Sequence, residues 1–323
     1  MSFVSHLEML DLQSFDDFFK PYGLDPRYGY PHELELTESE LRMDPTPLNR
    51  ILRKEDDEDT SHLKNHPLVD DIFGNFDHLT QEDLEAEKNK ILNESIEGFE
   101  SSSRPCAWYN PLHFYRNWGI YMRGPCLVRI ARKIACFVDW SCMPLPKSLY
   151  LADLHKAAFY VLYLHEQFHH KVESFALRLL VSTSKDHYSP YSANVYQTTF
   201  LSLQCLEESI ANAESYRRLS EERYRSCLHP AIYRGVRAYV KQTMPQQPPG
   251  YREGVHYLQK ERHRAGVQLL QSQVQSGSLM PKIPPVHWTM APNMMRSLKP
   301  ISSRIFIVLP VGLKPLFPPR WKP

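Results

Sequence analysis

The sequence predicts a mainly α-helical protein with little strand. The segment 149–180 contains no glycine or proline and is rich in apolar residues, which is typical of a long buried helix. The segment 124–138 has apolar residues at helical spacing directly after a Gly-Pro pair, which favours a helix start. One β-branched run, 305–309, favours a strand at a sheet edge, but it lies in a proline-rich tail.

Composition divides the 323 residues into three parts. Residues 1–104 hold 25 Asp and Glu against 10 Lys and Arg, whereas the rest of the chain holds 12 against 28. We expect 1–104 to be an acidic, partly ordered docking or regulatory region with a block of like charge at 55–59. Residues 105–280 are expected to form the helical domain, and 281–323, with 10 of the 26 prolines, an extension. The opposite charges predict that the acidic region docks on the basic domain within the chain.

Turn signals divide the helical domain further. Hydroxyl residues and a proline follow the first long helix, and two proline-containing breakers follow later. The expected elements are a loop at 182–194 and helices at about 195–225, 230–241 and 254–275.

The cysteines and the N-terminus bear on the cellular compartment. Six cysteines without a C-x-x-C pair predict buried thiols in a reducing compartment, with disulfides as the lesser alternative. The N-terminus lacks a basic region followed by an apolar run, and no apolar stretch is long enough for a membrane span. We therefore expect a cytoplasmic protein with no membrane partner, while export by a signal-less route stays open. The sequence has no nucleic-acid-binding motif, so nucleic acid is not an expected partner.

The long predicted helix contains a metal-binding pattern, H-E-x-x-H, from His165 to His169. Residues four apart share one face of a helix, so both imidazoles can reach the same cation. Zinc accepts imidazole ligands and lowers the pKa of a bound water toward neutrality. Glu166 lies beside the open coordination position, where a carboxylate can take the proton of that water. The pattern predicts a Zn²⁺ site with Glu166 as the catalytic general base.

The next helix contains E-x-x-A-N beginning at Glu208, which resembles the E-x-x-A-[ND] element of the gluzincin class of zinc metallopeptidases. The resemblance covers about 149–218. It implies a helical zincin-like domain with two metal-bearing helices and a protein or peptide substrate. It also implies that His165, His169 and Glu208 are the metal ligands and that Asn212 orients one of the histidines.

Several neighbouring residues compete for roles at this site. Glu207 is an alternative third ligand. His170 departs from the mostly apolar continuation of zincin helices and is a competing donor. Glu173 lies one turn beyond His169 and is expected to be a solvated acid paired with Arg or Lys, with an outer-sphere carboxylate or a metal ligand as the alternatives. His155 is expected to be a core or surface histidine.

Aromatic residues raise two further alternatives. Tyr188 and Tyr191, in the predicted loop, are either ordinary loop aromatics or donors to an oxyanion. An aromatic cluster after residue 105 is expected to pack in the core, with a substrate cleft as the alternative. Its members are Trp108, Tyr109, His113, Phe114, Tyr115, Trp118 and Tyr121.

Two other functions stay open. Glu166-x-x-His169 and Glu253-x-x-His256 are both E-x-x-H patterns, which together with Glu208 suit a carboxylate-bridged di-iron or di-manganese bundle oxidoreductase. The second open function is that of a non-enzymatic effector or toxin-system component, in which the histidines are structural. The motif specifies an activated water and does not identify its target.

Overall fold

The computed structural model describes residues 43–48, 63, 65–93, 105–114, 118–144, 146–281, 305–310, 313–314 and 316. The predicted acidic block at 55–59 and most of the proline-rich extension lie outside these residues. The described helices are α1 Pro67–Phe73, α2 Gln81–Asn93, α3 Gly124–Ala135, α4 Leu151–Thr183, α5 Tyr188–Tyr191, α6 Gln197–Thr199, α7 Leu206–Arg218, α8 Glu222–Arg225, α9 Pro230–Thr243 and α10 Lys260–Ser276. The described strands are β1 Met43–Leu48, β2 Ala107–Asn110, β3 Gly119–Arg123 and β4 Ile305–Pro310. The prediction of a mainly helical fold is confirmed.

Helix α4 is the central element of the fold. Its 33 residues contain no glycine or proline, and it ends where Ser184 adopts a left-handed backbone conformation. The first half of α4 packs in a core with α1, α2, α3, α9 and the sheet. The second half packs in another core with α5, α7 and α10. Leu164 belongs to the first core and Phe168 to the second, so the H-E-x-x-H pattern lies where the two cores meet.

The four strands form a mixed sheet with the order β1-β4-β3-β2. β4 is antiparallel to β1 and parallel to β3, and β2 is antiparallel to β3. The predicted strand at 305–309 is confirmed, but its predicted place at a sheet edge is wrong, because β4 pairs on both sides. Within the described sheet β2 is an edge strand, and it packs against α4.

Part of the acidic region packs on the same core as the helical domain. Val69 and Phe73 of α1, and Leu84 and Ile91 of α2, are buried in the cluster that α3 and α4 also form. Strand β1 pairs with β4, so segments on both sides of the predicted boundaries at 104 and 280 contribute to one sheet and one core.

The predicted single helix at about 195–225 is wrong. Helix α6 ends at Thr199, and α7 begins only at Leu206. In the turn between them Leu201 has a φ of 55°, a left-handed conformation that costs a leucine roughly 1–2 kcal/mol. The turn packs closely on Gly250, where an added Cβ would lie 3.1 Å from the carbonyl oxygen of Ser202. Tertiary packing therefore offsets the local cost of this turn.

The other element predictions differ at their boundaries. α3, α4 and α9 lie where helices were expected. His229 caps α9, because its side chain accepts a hydrogen bond from the backbone of Ala231. The predicted loop at 182–194 contains α5 and the start of a π-helical turn, Ser192–Tyr196. The predicted helix at 254–275 begins at Lys260, since Arg252–Tyr257 forms a 3₁₀ helix.

The cysteines depart from the expected set of buried thiols. Cys106, just before β2, and Cys126, in α3, form a disulfide with a Cα–Cα distance of 5.4 Å. Cys136 and Cys205 are buried thiols, whereas Cys142 is exposed. In the described parts of the chain, no helix combines the length and apolar character that a bilayer span requires.

Candidate metal centre

Helices α4 and α7 bring three predicted ligands together. The Nε2 atoms of His165 and His169 lie 3.2 Å apart. One carboxylate oxygen of Glu208, Oε2, lies 3.0 Å from the first of these nitrogens and 3.5 Å from the second. A tetrahedral ion with bonds of about 2.0–2.1 Å separates its ligand atoms by roughly 3.3 Å, so the spacing of the three atoms suits a metal ion of this size. In the described part of the chain, this is the group of three that could hold a metal ion.

The Nδ1 atoms of both histidines, here called the outer nitrogens, face hydrogen-bond acceptors, and the Nε2 atoms are the inner nitrogens. Nδ1 of His165 lies 2.8 Å from the amide oxygen of Asn212. The amide nitrogen of Asn212 donates to the carbonyl oxygen of Tyr251 at 2.9 Å, which fixes the orientation of this amide. Nδ1 of His169 lies 2.7 Å from a carboxylate oxygen of Glu207. Each Nδ1 must therefore carry a proton and donate it.

This tautomer has a direct consequence for the inner nitrogens. A neutral imidazole protonated at Nδ1 has only a lone pair at Nε2. Two such lone pairs, from His165 and His169, converge with an oxygen of Glu208 in a largely buried space. Three acceptors at this distance need a proton or a cation between them. Although burial lowers the pKa of His169, the carboxylates of Glu208 and Glu207 outweigh it and raise that pKa well above its usual value. The group thus attracts positive charge.

Two buried tyrosines hold the two carboxylates. Tyr191 donates a hydrogen bond of 2.5 Å to Oε2 of Glu207. Tyr196 donates to Oε1 of Glu208, the oxygen that does not face the histidines. The two adjacent acids therefore have different places: Glu208 lies at the inner nitrogens, and Glu207 supports His169 from outside. Tyr191, considered as an oxyanion donor, instead contacts an acid.

Glu166 lies beside the three converging atoms and does not belong to them. Its carboxyl is buried, and the backbone N–H of Tyr109 in β2 hydrogen-bonds to it. Burial raises the pKa of Glu166 above its usual value, while His165 and His169 oppose that increase. A carboxylate with a raised pKa is a better proton acceptor than an exposed one.

Tyr251 is a site residue that the sequence interpretation missed. Its ring stacks on His165 with a centroid distance of 5.7 Å and an interplanar angle of 10°. Burial, followed by the charges of Glu208 and Glu166, raises the pKa of its phenol well above the usual value. The hydroxyl therefore stays protonated, and it donates a hydrogen bond to the carboxylate of Glu208. The sequence signal that could have pointed to Tyr251 is the preceding Gly250. Its φ of 91° is a left-handed conformation that favours glycine.

Glu173 is not the solvated acid that was expected. Its side chain is completely buried and accepts hydrogen bonds from the backbone N–H groups of Leu112 and His113, at 2.9 and 2.8 Å. It also binds Nδ1 of His113 and the hydroxyl of Tyr109. Nδ1 of His170 lies 2.6 Å from the same hydroxyl, so His170 faces β2 and not the three converging atoms.

The remaining candidates lie outside the metal group. His155 is buried in the core and binds the carbonyl oxygen of Leu151. Tyr188 stacks on His113 with a centroid distance of 4.5 Å. Of the predicted aromatic cluster, Tyr109, His113 and Trp118 are buried, whereas Trp108 and Tyr121 are half-buried. The side chain of Phe114, and Tyr115 as a whole, lie outside the described part of the structure.

The second E-x-x-H pattern also lies apart. Glu253 accepts a hydrogen bond from the backbone N–H of Gly250 and pairs with Arg252. His256 is exposed in the 3₁₀ helix. Neither residue joins the three converging atoms.

Comparison with known proteins gives no relative for this chain. No protein-family model, no curated protein and no solved structure matches it.

Proposed function

We propose that this chain is a zinc-dependent hydrolase, with a peptide as the substrate class. The observation that carries the proposal is the convergence of two imidazole lone pairs and one carboxylate oxygen, with both imidazoles oriented by acceptors at Nδ1. Two histidines and one glutamate form a ligand set of catalytic zinc sites, which leave the fourth position open. Acceptors at the outer nitrogens are the usual outer shell of such histidines.

Glu166 is the proposed general base. A zinc ion held by the three ligands would activate a water molecule and polarise the carbonyl of the substrate. Glu166 takes the proton from the attacking water at its carboxylate and passes it to the leaving amine. The hydrogen bond from the backbone of Tyr109 keeps this carboxylate in one orientation. The raised pKa of Glu166 suits both proton transfers.

Tyr251 is the proposed donor to the oxyanion. Its phenol lies beside both Glu166 and Glu208, so it borders the same space as the general base. The ring is positioned by stacking on His165, and the hydroxyl, which bonds to Glu208, would turn to the oxyanion when the substrate is attacked. A fixed neutral donor beside the reacting carbonyl stabilises the charge that develops there.

The position of β2 supports a peptide substrate. Within the described sheet this strand pairs only with β3, and its Tyr109 N–H reaches Glu166. Since the N–H of Tyr109 is bonded to Glu166, an extended peptide that adds to this edge strand would pair with its other outward backbone groups. The di-iron or di-manganese alternative gains no support from Glu253 and His256, which lie apart from the site.

Metal analysis by mass spectrometry tests the metal centre first. We expect about one zinc per chain in the wild type and none in His169→Ala. No zinc in the wild type would refute the metal centre, and two irons per chain would establish the di-iron alternative instead.

Hydrolysis is tested on a mixed peptide library with mass-spectrometric detection of new termini. The Glu166→Gln variant is the matched control, because it keeps the three ligands and loses the base. Cleavage by the wild type with a loss of at least 100-fold in the variant is expected from general-base catalysis. A zinc-loaded wild type that cleaves no peptide would refute the peptidase assignment. Equal cleavage by both proteins would refute the role of Glu166.

A further inference from the structure

The π-helical turn Ser192–Tyr196 precedes the metal-bearing helix α7 and is separated from it by α6 and the turn at 200–205. The backbone N–H of Gln197 bonds to the carbonyl of Ser192, five residues earlier, which defines this turn. Tyr191 and Tyr196 are also five residues apart. In an α-helix of 3.6 residues per turn, two such side chains would point about 140° apart. In a π-helical turn the residues i and i+5 lie one above the other.

The two tyrosines meet two consecutive carboxylates. Tyr191 donates to Oε2 of Glu207, and Tyr196 donates to Oε1 of Glu208. All four side chains are almost completely buried. A pair of adjacent buried acids needs donors, because their mutual repulsion and their burial both favour protonation. Tyr191, the last residue of α5, and Tyr196, the last residue of the π-helical turn, supply these two donors.

With these two hydrogen bonds, the four carboxylate oxygens of Glu207 and Glu208 have different partners. Oε1 of Glu207 faces Nδ1 of His169, and its Oε2 accepts from Tyr191. Oε2 of Glu208 faces the inner histidine nitrogens, and its Oε1 accepts from Tyr196. Each carboxylate thus turns one oxygen to a histidine and the other to Tyr191 or Tyr196, and Glu208 has a further hydrogen bond with Tyr251.

We propose that this π-helical turn is a positioning device for the metal centre, in which Tyr196 makes Glu208 bind through one oxygen and Tyr191 holds Glu207 against His169. The inference rests on the proposed metal centre. π-Helical turns are rare and occur frequently at functional sites, which agrees with such a role. Tyr191 and Tyr196 are positioning residues, because they act on the metal only through Glu207 and Glu208.

The test compares Tyr191→Phe, Tyr196→Phe and the control Tyr224→Phe. Tyr224 is equally buried, but its hydroxyl accepts from Arg218 and contacts none of the metal-site residues in the described hydrogen bonds. Zinc affinity is measured by competition with a chelator. We expect each of the first two variants to bind zinc about 10-fold more weakly, as for other outer-shell partners, and the control to differ by less than about 2-fold.

Cobalt substitution separates positioning from a general loss of stability. Loss of the Tyr196 hydroxyl removes the hydrogen bond that it donates to Oε1 of Glu208, so this oxygen can become a second ligand atom. We expect the visible absorption of Co²⁺ bound to Tyr196→Phe to weaken, because a higher coordination number lowers this absorption. The absorption spectrum of Co²⁺ bound to Tyr191→Phe should keep its shape. Wild-type zinc affinity and an unchanged cobalt spectrum in both variants would overturn this inference while leaving the proposed function intact. A wild type that binds neither metal would overturn both.

Discussion

Replacing Glu173 by glutamine should destabilise the fold without touching a proposed metal ligand. Glu173 is fully buried in α4, and each of its carboxylate oxygens accepts two hydrogen bonds. Oε1 accepts from the backbone N–H and Nδ1 of His113. Oε2 accepts from the backbone N–H of Leu112 and from the hydroxyl of Tyr109. The acid therefore joins the end of β2 and the following turn to α4.

The expected loss follows from these contacts. A glutamine keeps one acceptor oxygen and places an NH₂ group at the position of the other. With the NH₂ at the Oε2 position, Tyr109 can turn its hydroxyl to His170, 2.6 Å away, but the N–H of Leu112 loses its acceptor. A lost hydrogen bond to a charged group costs about 1.5–3 kcal/mol, and an orphaned buried donor about 1–3 kcal/mol. The free energy of unfolding should therefore fall by about 3–5 kcal/mol, a large part of a typical total stability.

Urea denaturation followed by circular dichroism measures this loss, with EDTA present so that metal binding does not contribute. Glu261→Gln is the control, because Glu261 is exposed in α10 and should change stability by less than about 0.5 kcal/mol. A Glu173→Gln variant as stable as this control would refute the hydrogen-bonding role assigned to Glu173. Because Tyr109 contacts both Glu173 and Glu166, the same variant should also lose the proposed hydrolytic activity.

Two further predictions concern pH and the disulfide. The raised pKa of His169 stabilises the metal-free fold fully below about pH 6.5, and this contribution is lost as pH rises through the raised pKa. Zinc should therefore increase the melting temperature more at pH 9 than at pH 6, and an equal increase at both would contradict this reasoning. The disulfide Cys106–Cys126 closes a loop of about 20 residues, so the double serine variant should lose about 3 kcal/mol of stability in urea denaturation. An unchanged urea midpoint would show that the disulfide does not stabilise the protein.

The helices were predictable where local sequence decides the structure. The absence of glycine and proline over 149–180 predicts α4, because nothing in the segment interrupts helical hydrogen bonding. The end of helix at Thr199 was not predictable in this way. The turn after it contains no glycine or proline, and Ser202 and Cys205 of this turn lie against the distant Gly250. Similarly, the run 305–309 predicts a strand from its β-branched residues, but its inner place depends on pairing with distant strands.

The sequence by itself determined the spacing of His165, Glu166 and His169 on one helix face, because the geometry of residues four apart is local. The resemblance of the E-x-x-A-N element added Glu208 and Asn212. Only the tertiary structure separated the role of Glu207 from that of Glu208 and brought the tyrosines to the site. These choices depend on side chains from different elements that meet in a buried space. His169 and Glu207, for example, are 38 residues apart in the chain. No local pattern determines which of two adjacent acids faces a given imidazole nitrogen, since the packing of α7 on α4 decides it.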